Sequence, residues 1–278
     1  MPSSLLLADT WKARRLPFRR FLRAVVLCIR SRTLSYPAGP SASATLESPV
    51  LPPSHSGRRQ RRAEEAFRAF VRDEGFSCLA AKGVVRTDGA RVRVFGALGS
   101  MRSADRLARE LAGFMAELPA EPTTRMQSFV AVFPRDVPGD EAEFERRLWR
   151  QLQLLHARDA ADAAWDPAVS DDPEDPRFSF SFGGRGVFIV GLHPASSRLA
   201  RRFRWPALVF NPHAQFDRLR ADGRFDSLRA AVREREIALQ GSLNPNLADF
   251  GERSEARQYS GRAVEDQWRC PFHRGTTS

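Results

Sequence analysis

The pattern of side chains changes at about Arg61, and that break limits how much of this chain can build a core. Over residues 1–62 there are twelve basic side chains against only Asp9 and Glu47, and Pro and Ser cluster from Tyr36 to Ser56. Such a stretch has too little apolar surface to offset its ordering entropy. Residues 1–60 are therefore expected to be a disordered basic leader and Pro/Ser linker, and residues 61–274 one folded domain. An organelle transit peptide is the alternative to an idle leader.

The charge balance follows the same break. The whole chain carries +11, so a surplus of ten in the first 62 residues leaves the remainder at +1. A nearly neutral body lacks the clustered cations that counterion release from a nucleic acid requires, so no nucleic-acid partner is expected. Only Lys12 and Lys82 are lysines, which codon usage in a GC-rich genome explains as readily as a recognition surface. The apolar stretch Ala24–Ile29 is too short to span a bilayer, and no membrane anchor is expected. Cys28, Cys78 and Cys270 are too few and too far apart for a disulfide framework, a zinc ribbon or a four-cysteine iron–sulfur cluster, which suits a reducing cytoplasm.

Beyond Arg61, periodicity places the elements. Ala66, Phe67, Phe70 and Val71 mark a helix. Val84-Val85, Thr87-Asp88-Gly89 and Val92/Val94 read as a hairpin about an Asp-Gly turn. Ser103 is expected to cap a helix facing inward through Leu107, Leu111, Phe114 and Leu118, with Pro119 stopping it. Ser128–Phe133 reads as a buried strand, and Asp140 with Glu143 as a capping box for a helix through Phe144, Leu148, Leu152 and Leu155. His156 on that face is expected at the core edge. Phe178–Phe182 and Val187–Leu192 pair through Gly183-Gly184-Arg185-Gly186, a turn and not a phosphate loop, because no helix follows it. Ala207–Phe210 is a strand, and Phe225, Leu228, Val232 and Leu239 mark a late helix. The fold class is α+β, a single domain with a mixed or antiparallel sheet flanked by helices.

Two histidines follow strands. His193 closes Phe188–Leu192 and precedes Pro194, which turns the chain out of the sheet; that placement suits a metal ligand or a base. Ser196, Ser197 and Arg198 come next, offering hydroxyls and a guanidinium for a carboxylate such as a haem propionate, with a structural turn as the equal alternative. His213, after Phe210-Asn211-Pro212, could face the same crevice; a polar residue at a helix start is its plain alternative. Cys270, before Pro271, is either a haem thiolate or a small buried hydrophobe. Hydrolase, zinc-protease and NTPase motifs are absent.

The runs Gly191-Leu192-His193-Pro194-Ala195-Ser196-Ser197-Arg198, Phe210-Asn211-Pro212-His213, Gln240-Gly241-Ser242-Leu243-Asn244-Pro245, Glu255-Ala256-Arg257-Gln258-Tyr259-Ser260-Gly261 and Trp268-Arg269-Cys270-Pro271-Phe272, in that order, resemble the YqcI/YcgG family. Within it they are most similar to the haem-dependent N-hydroxylase branch of guanitoxin biosynthesis. The resemblance spans about Ala66 to His273. It implies an enzyme with haem b that uses dioxygen and an external electron donor, such as a ferredoxin or flavin reductase, to hydroxylate a guanidine nitrogen of an arginine-like substrate. A non-enzymatic haem-binding or haem-sensing protein is the alternative. His193 is the expected iron ligand, with Ser197, Arg198 and Cys270 around the cofactor, and His213 and Tyr259 the expected catalytic groups. Asn244, Asp249 and Glu255 are the expected substrate contacts, since a carboxylate can accept two parallel guanidinium bonds; capping of turns, or pairing with Arg253 and Arg257, is the alternative for the acids. A homodimer is left open.

Overall fold

Ser128-Phe129-Val130-Ala131-Val132 has no polar residue after its first, and all five are buried, as a strand covered on both faces requires. This strand, β2 (Ser128–Val132), lies inside a five-stranded mixed sheet in a computed structural model that describes residues 55–275. Residues 1–54 of the expected leader lie outside the described residues; its last six, expected as linker, instead begin α1, the helix His55–Arg72, because Gln60 bonds the sheet edge at Val92 and Val94. The other strands are β1 (Ala90–Val94), β3 (Phe180–Phe182), β4 (Arg185–Leu192) and β5 (Ala207–Pro212), in the order β1-β2-β5-β4-β3. β1 and β2 are parallel, and every other pairing is antiparallel.

Among the described residues seven α-helices flank the sheet: α1 (His55–Arg72), α2 (Leu79–Arg86), α3 (Met101–Glu117), α4 (Glu141–Asp159), α5 (Ala214–Ala221), α6 (Phe225–Gln240) and α7 (Ala256–Tyr259). Alternation along β2 and β5 divides the core. Phe129, Ala131, Leu208 and Phe210 pack with α3, α4 and the C-terminal Phe272, whereas Val130, Val132, Ala207 and Val209 pack with α1 and α2. The architecture is thus helices on both faces of one sheet, α+β as expected. No helix among the described residues is long and apolar enough to cross a membrane.

Local chemistry explains the element ends. Asp140 accepts from the Glu143 amide at 2.6 Å and so starts α4; Glu143 accepts from Gly139 rather than completing a box at Asp140. Gly183 and Gly184, with φ of 60° and 70°, form the two-residue β3–β4 turn, because primed turns need positive φ. The edge of β1 is closed by a side chain: the Gln60 amide donates to Val92 O at 2.7 Å and accepts from Val94 N at 3.0 Å, the bonds a further strand would make.

Two further expectations change. The hairpin at Val84–Val94 does not form. Val84 and Val85 are buried in the last turn of α2, and Gly89 N returns to Val84 O at 2.8 Å to end it, so Thr87-Asp88-Gly89 stops a helix and β1 pairs with β2 instead. The cap of α3 is Ser100, whose hydroxyl accepts from Ser103 N; Ser103 sits inside the first turn. α5 directly follows β5 with His213 at its start, which agrees with the helix-start alternative for that residue.

Candidate functional site

The strand registers build one end of the sheet from a single row, Val94–Val132–Ala207–Leu192. The carboxyl ends of β1, β2 and β4 meet there, and His193 is the next residue after β4. Its backbone is fixed by a bond from its amide to Arg201 O at 3.0 Å. Its ring is fully buried and lies on Phe144, with centroids 4.2 Å and planes 18° apart. Neither ring nitrogen has a hydrogen-bond partner among the described residues. Burial pulls its pKa down to about 4 against the opposing pull of Glu141 and Asp140, so the imidazole is neutral at ordinary pH. Two unpartnered nitrogens in a native interior are costly and point to a role other than packing.

The turn after His193 is tied down by internal partners. The Ser197 amide and hydroxyl both donate to Glu141 Oε1, each at 2.8 Å. Arg198, expected to hold an external carboxylate, holds Glu236 of α6 through Nη2 at 2.6 Å and Nε at 3.2 Å, and Ser242 Oγ through Nη1 at 3.2 Å. The other Glu236 oxygen takes the Ser77 hydroxyl at 2.7 Å. Arg201 donates to Gly191 O at 3.3 Å and Tyr259 O at 3.1 Å; burial lowers its pKa to about 10, which leaves it charged. Sequence reasoning missed Arg201 and Glu236, since nothing in their local sequence shows that α6 crosses the β4 end.

His213 lies at the opposite end of the sheet. Val187 pairs with Pro212, and His213 N donates to Gly186 O at 2.8 Å. Gly186 and Leu192 are six strand steps apart, about 20 Å, so the expectation of one shared crevice is wrong: antiparallel neighbours send their carboxyl ends in opposite directions. The His213 Nδ1 is 3.3 Å from Asp217 and Nε2 is 3.5 Å from Glu255 Oε1. The second distance makes an ion pair but not a formed hydrogen bond, which leaves Nε2 and Glu255 Oε2 without bonded partners. Burial disfavours the charged ring, yet the two carboxylates raise its pKa to about 9. His213 is thus an imidazolium locked between acids, with Phe250 at 4.5 Å.

The remaining expected residues divide between the two ends. Asn244 bonds Gly261 O at 3.2 Å, and an added Cβ at Gly261 would strike Arg201, which puts Asn244 near the His193 end. Glu255 is beside His213, and Asp249 is taken by Arg229 and by Arg233 at 3.3 Å. Tyr259 is fully buried; its hydroxyl accepts from Phe180 N at 3.0 Å and donates to Val187 O at 3.4 Å, and burial raises its pKa well above the ordinary value. The Cys270 thiol is buried in the core and pushed up to about 12 by that burial, which favours the small-hydrophobe reading over a thiolate. No group of three or more His, Cys, Asp or Glu able to hold a metal ion occurs among the described residues.

The described residues thus form one mixed sheet covered by helices on both faces, with a buried histidine at the end of an inner strand. The YqcI/YcgG family matches residues 67–273, and the chain belongs to that family. It is similar to "Uncharacterized protein YcgG" of Bacillus subtilis (strain 168), 30% identical over 229 residues that cover 77% of this chain and 87% of the relative. It is also similar to "Uncharacterized protein YqcI" of the same organism, 26% identical over 211 residues, 72% of this chain and 82% of the relative. No solved structure matches it.

Proposed function

We propose that this chain is a haem-dependent oxygenase that hydroxylates a guanidine-type nitrogen, in the manner of the guanitoxin N-hydroxylase branch, with His193 as the protein's ligand to iron. The observation that carries the reading is the His193 ring: fully buried, held neutral, and unpartnered at both nitrogens. Neutral imidazole is the form that binds iron. Haem would bring most of its iron ligands with it, so a single protein side chain, His193, would hold it without a three-residue ligand cluster. Bound haem would supply the activation of dioxygen.

The chain's own residues would do the rest. Phe144 fixes the plane of the His193 ring, and Arg201 ties the Tyr259 backbone to Gly191, two residues before it. Ser197 and Arg198 hold donors at this end that now serve Glu141 and Glu236; haem propionates would compete with those two carboxylates. Because Asp249 and Glu255 do not share the His193 end, reading of the guanidinium falls to Glu141, whose Oε1 already faces this turn. The net reaction consumes a guanidine N–H, dioxygen, two electrons from an external donor and two protons, and yields N–OH and water.

The test is an optical spectrum of the full-length protein reconstituted with haem b, followed by turnover of arginine with a ferredoxin or flavin reductase. The expected result is a Soret band that His193→Ala abolishes and Cys270→Ser leaves unchanged, with N-hydroxylated product. No Soret band overturns the proposal. A Soret band without turnover on any guanidine makes the protein a haem binder or sensor, and a thiolate-type carbonyl spectrum lost only in Cys270→Ser reverses the ligand.

A further inference from the structure

A second feature of the same sheet end is independent of the haem reading. A cleft of about 1240 Å³ opens between α1, the carboxyl ends of β1 and β2, and the first turns of α3. Arg59, Arg62, Arg102, Arg106, Arg135 and Arg204 line it, and none of these six forms an ion pair among the described residues. A seventh, Arg93, is paired at 3.2 Å with Glu110, the one carboxylate in the lining. The body of the chain carries only +1 beyond residue 62, so this is a local concentration and not a generally basic surface. Aromatic rings fix part of it: Arg106 lies 5.2 Å from the Phe95 ring centroid and Arg204 lies 4.4 Å from that of Trp205.

The arrangement works against the fold unless an anion is present. The amino terminus of α3 carries the positive end of the helix dipole, which favours acidic side chains, yet its first turn holds none; Arg102 and Arg106 line the cleft, while Asp105 in the second turn is paired with Arg158 and does not. Inside that turn Ser103 is 3% exposed, its hydroxyl has no partner, and it lines the cleft beside Gly96, where a Cβ would stand 3.1 Å from the hydroxyl oxygen. A buried, unpartnered hydroxyl at the start of a helix and planar guanidinium forks are parts of a phosphate site.

We propose that this cleft binds a small anion carrying two or more phosphoryl groups. Six unpaired guanidiniums are more than one carboxylate or one phosphate can engage. A nucleic acid is disfavoured because it would need a cationic track extending past the cleft, which the charge balance of the body does not supply.

The test is titration calorimetry on the full-length protein with inorganic pyrophosphate, and with ATP as the nucleotide-bearing arm. Both are expected to bind, ATP more tightly if the ligand is a nucleotide and equally if it is a free polyphosphate. The double variant Arg102→Gln/Arg106→Gln is expected to weaken pyrophosphate binding at least tenfold. Ser103→Ala, which changes no charge, is expected to weaken it threefold or more while far-ultraviolet circular dichroism stays unchanged. Equal binding by the parent and the arginine variant overturns the proposal, since it places the anion on the basic leader. An unaffected Ser103→Ala also overturns it, because the cleft is then a diffuse charged surface, and so does binding of single-stranded DNA or anionic phosphatidylserine vesicles without binding of pyrophosphate.

Discussion

Glu145 on α4 and Arg262 near the C-terminus are paired across 117 residues, Nε to Oε2 at 2.8 Å, and the other Glu145 oxygen accepts from Ser260 Oγ at 3.1 Å. Glu145 has 9% of its side chain exposed and Arg262 20%. Removing one member strands a nearly buried charge, and partial solvent access reduces the usual cost of a buried pair. Arg262→Met is therefore expected to cost about 2 kcal/mol in urea unfolding. Glu145→Leu/Arg262→Met, which removes both charges, is expected to lose less; a double variant as unstable as the sum of the singles would show no coupling between them.

His193 should behave as a group kept at the expense of stability. His193→Leu removes two buried, unpartnered nitrogens at similar volume and is expected to raise the unfolding free energy by about 1 kcal/mol. The same variant should bind no haem. A loss of stability would mean that the ring packs better than its missing partners suggest.

The two histidines at opposite sheet ends set opposite limbs of the pH–stability curve. His213 has a folded-state pKa raised to about 9, so its contribution is complete below the unfolded value near 6.5 and is lost as pH climbs to about 9. His193 is depressed to about 4, so its contribution is complete above pH 6.5 or so and is lost as pH falls toward 4. Stability should peak near pH 6.5 and fall on each side by an amount on the order of 3 kcal/mol. Denaturant unfolding from pH 4 to 9.5 reads this directly: His213→Gln should flatten only the alkaline limb and His193→Leu only the acid limb.

Gly191 is required by contact. A Cβ there would lie 2.6 Å from Phe144 Cε1 and 2.8 Å from Tyr259 O, and Tyr259 cannot retreat while Arg201 and two strands hold it. Gly191→Ala is expected to cost about 2 to 3 kcal/mol by overpacking, seen as a lower thermal midpoint. A midpoint equal to the parent's would mean that the Phe144 ring moves freely.

Much of this architecture was legible in the sequence, and the misreadings have physical causes. The apolar run of β2, the Asp140 cap of α4 and the paired glycines between β3 and β4 are local signals whose cause and effect lie within a few residues. Thr87-Asp88-Gly89 was ambiguous, because a residue with positive φ serves the end of a helix as well as a hairpin, and Asp88 takes φ of 57° here. The site was harder to read. That His193 and His213 follow strands is visible in the residues, but whether those strands run together or opposed is a property of pairing, which no strand carries alone. Arg201, Glu236 and the cleft arginines are assembled from segments far apart in the chain, and near-uniform use of arginine hid which cations matter.

The position of β5 also sets when the protein can fold during synthesis. β5 begins at Ala207 and fills the gap between β2 and β4, so a growing chain cannot close the middle of its sheet until that segment has left the ribosome. Until then β2 and β4 each present an open edge of apolar strand, the kind that invites pairing with another chain. A message cut short before Ala207 would yield not a smaller working domain but two unjoined half-sheets, prone to aggregate.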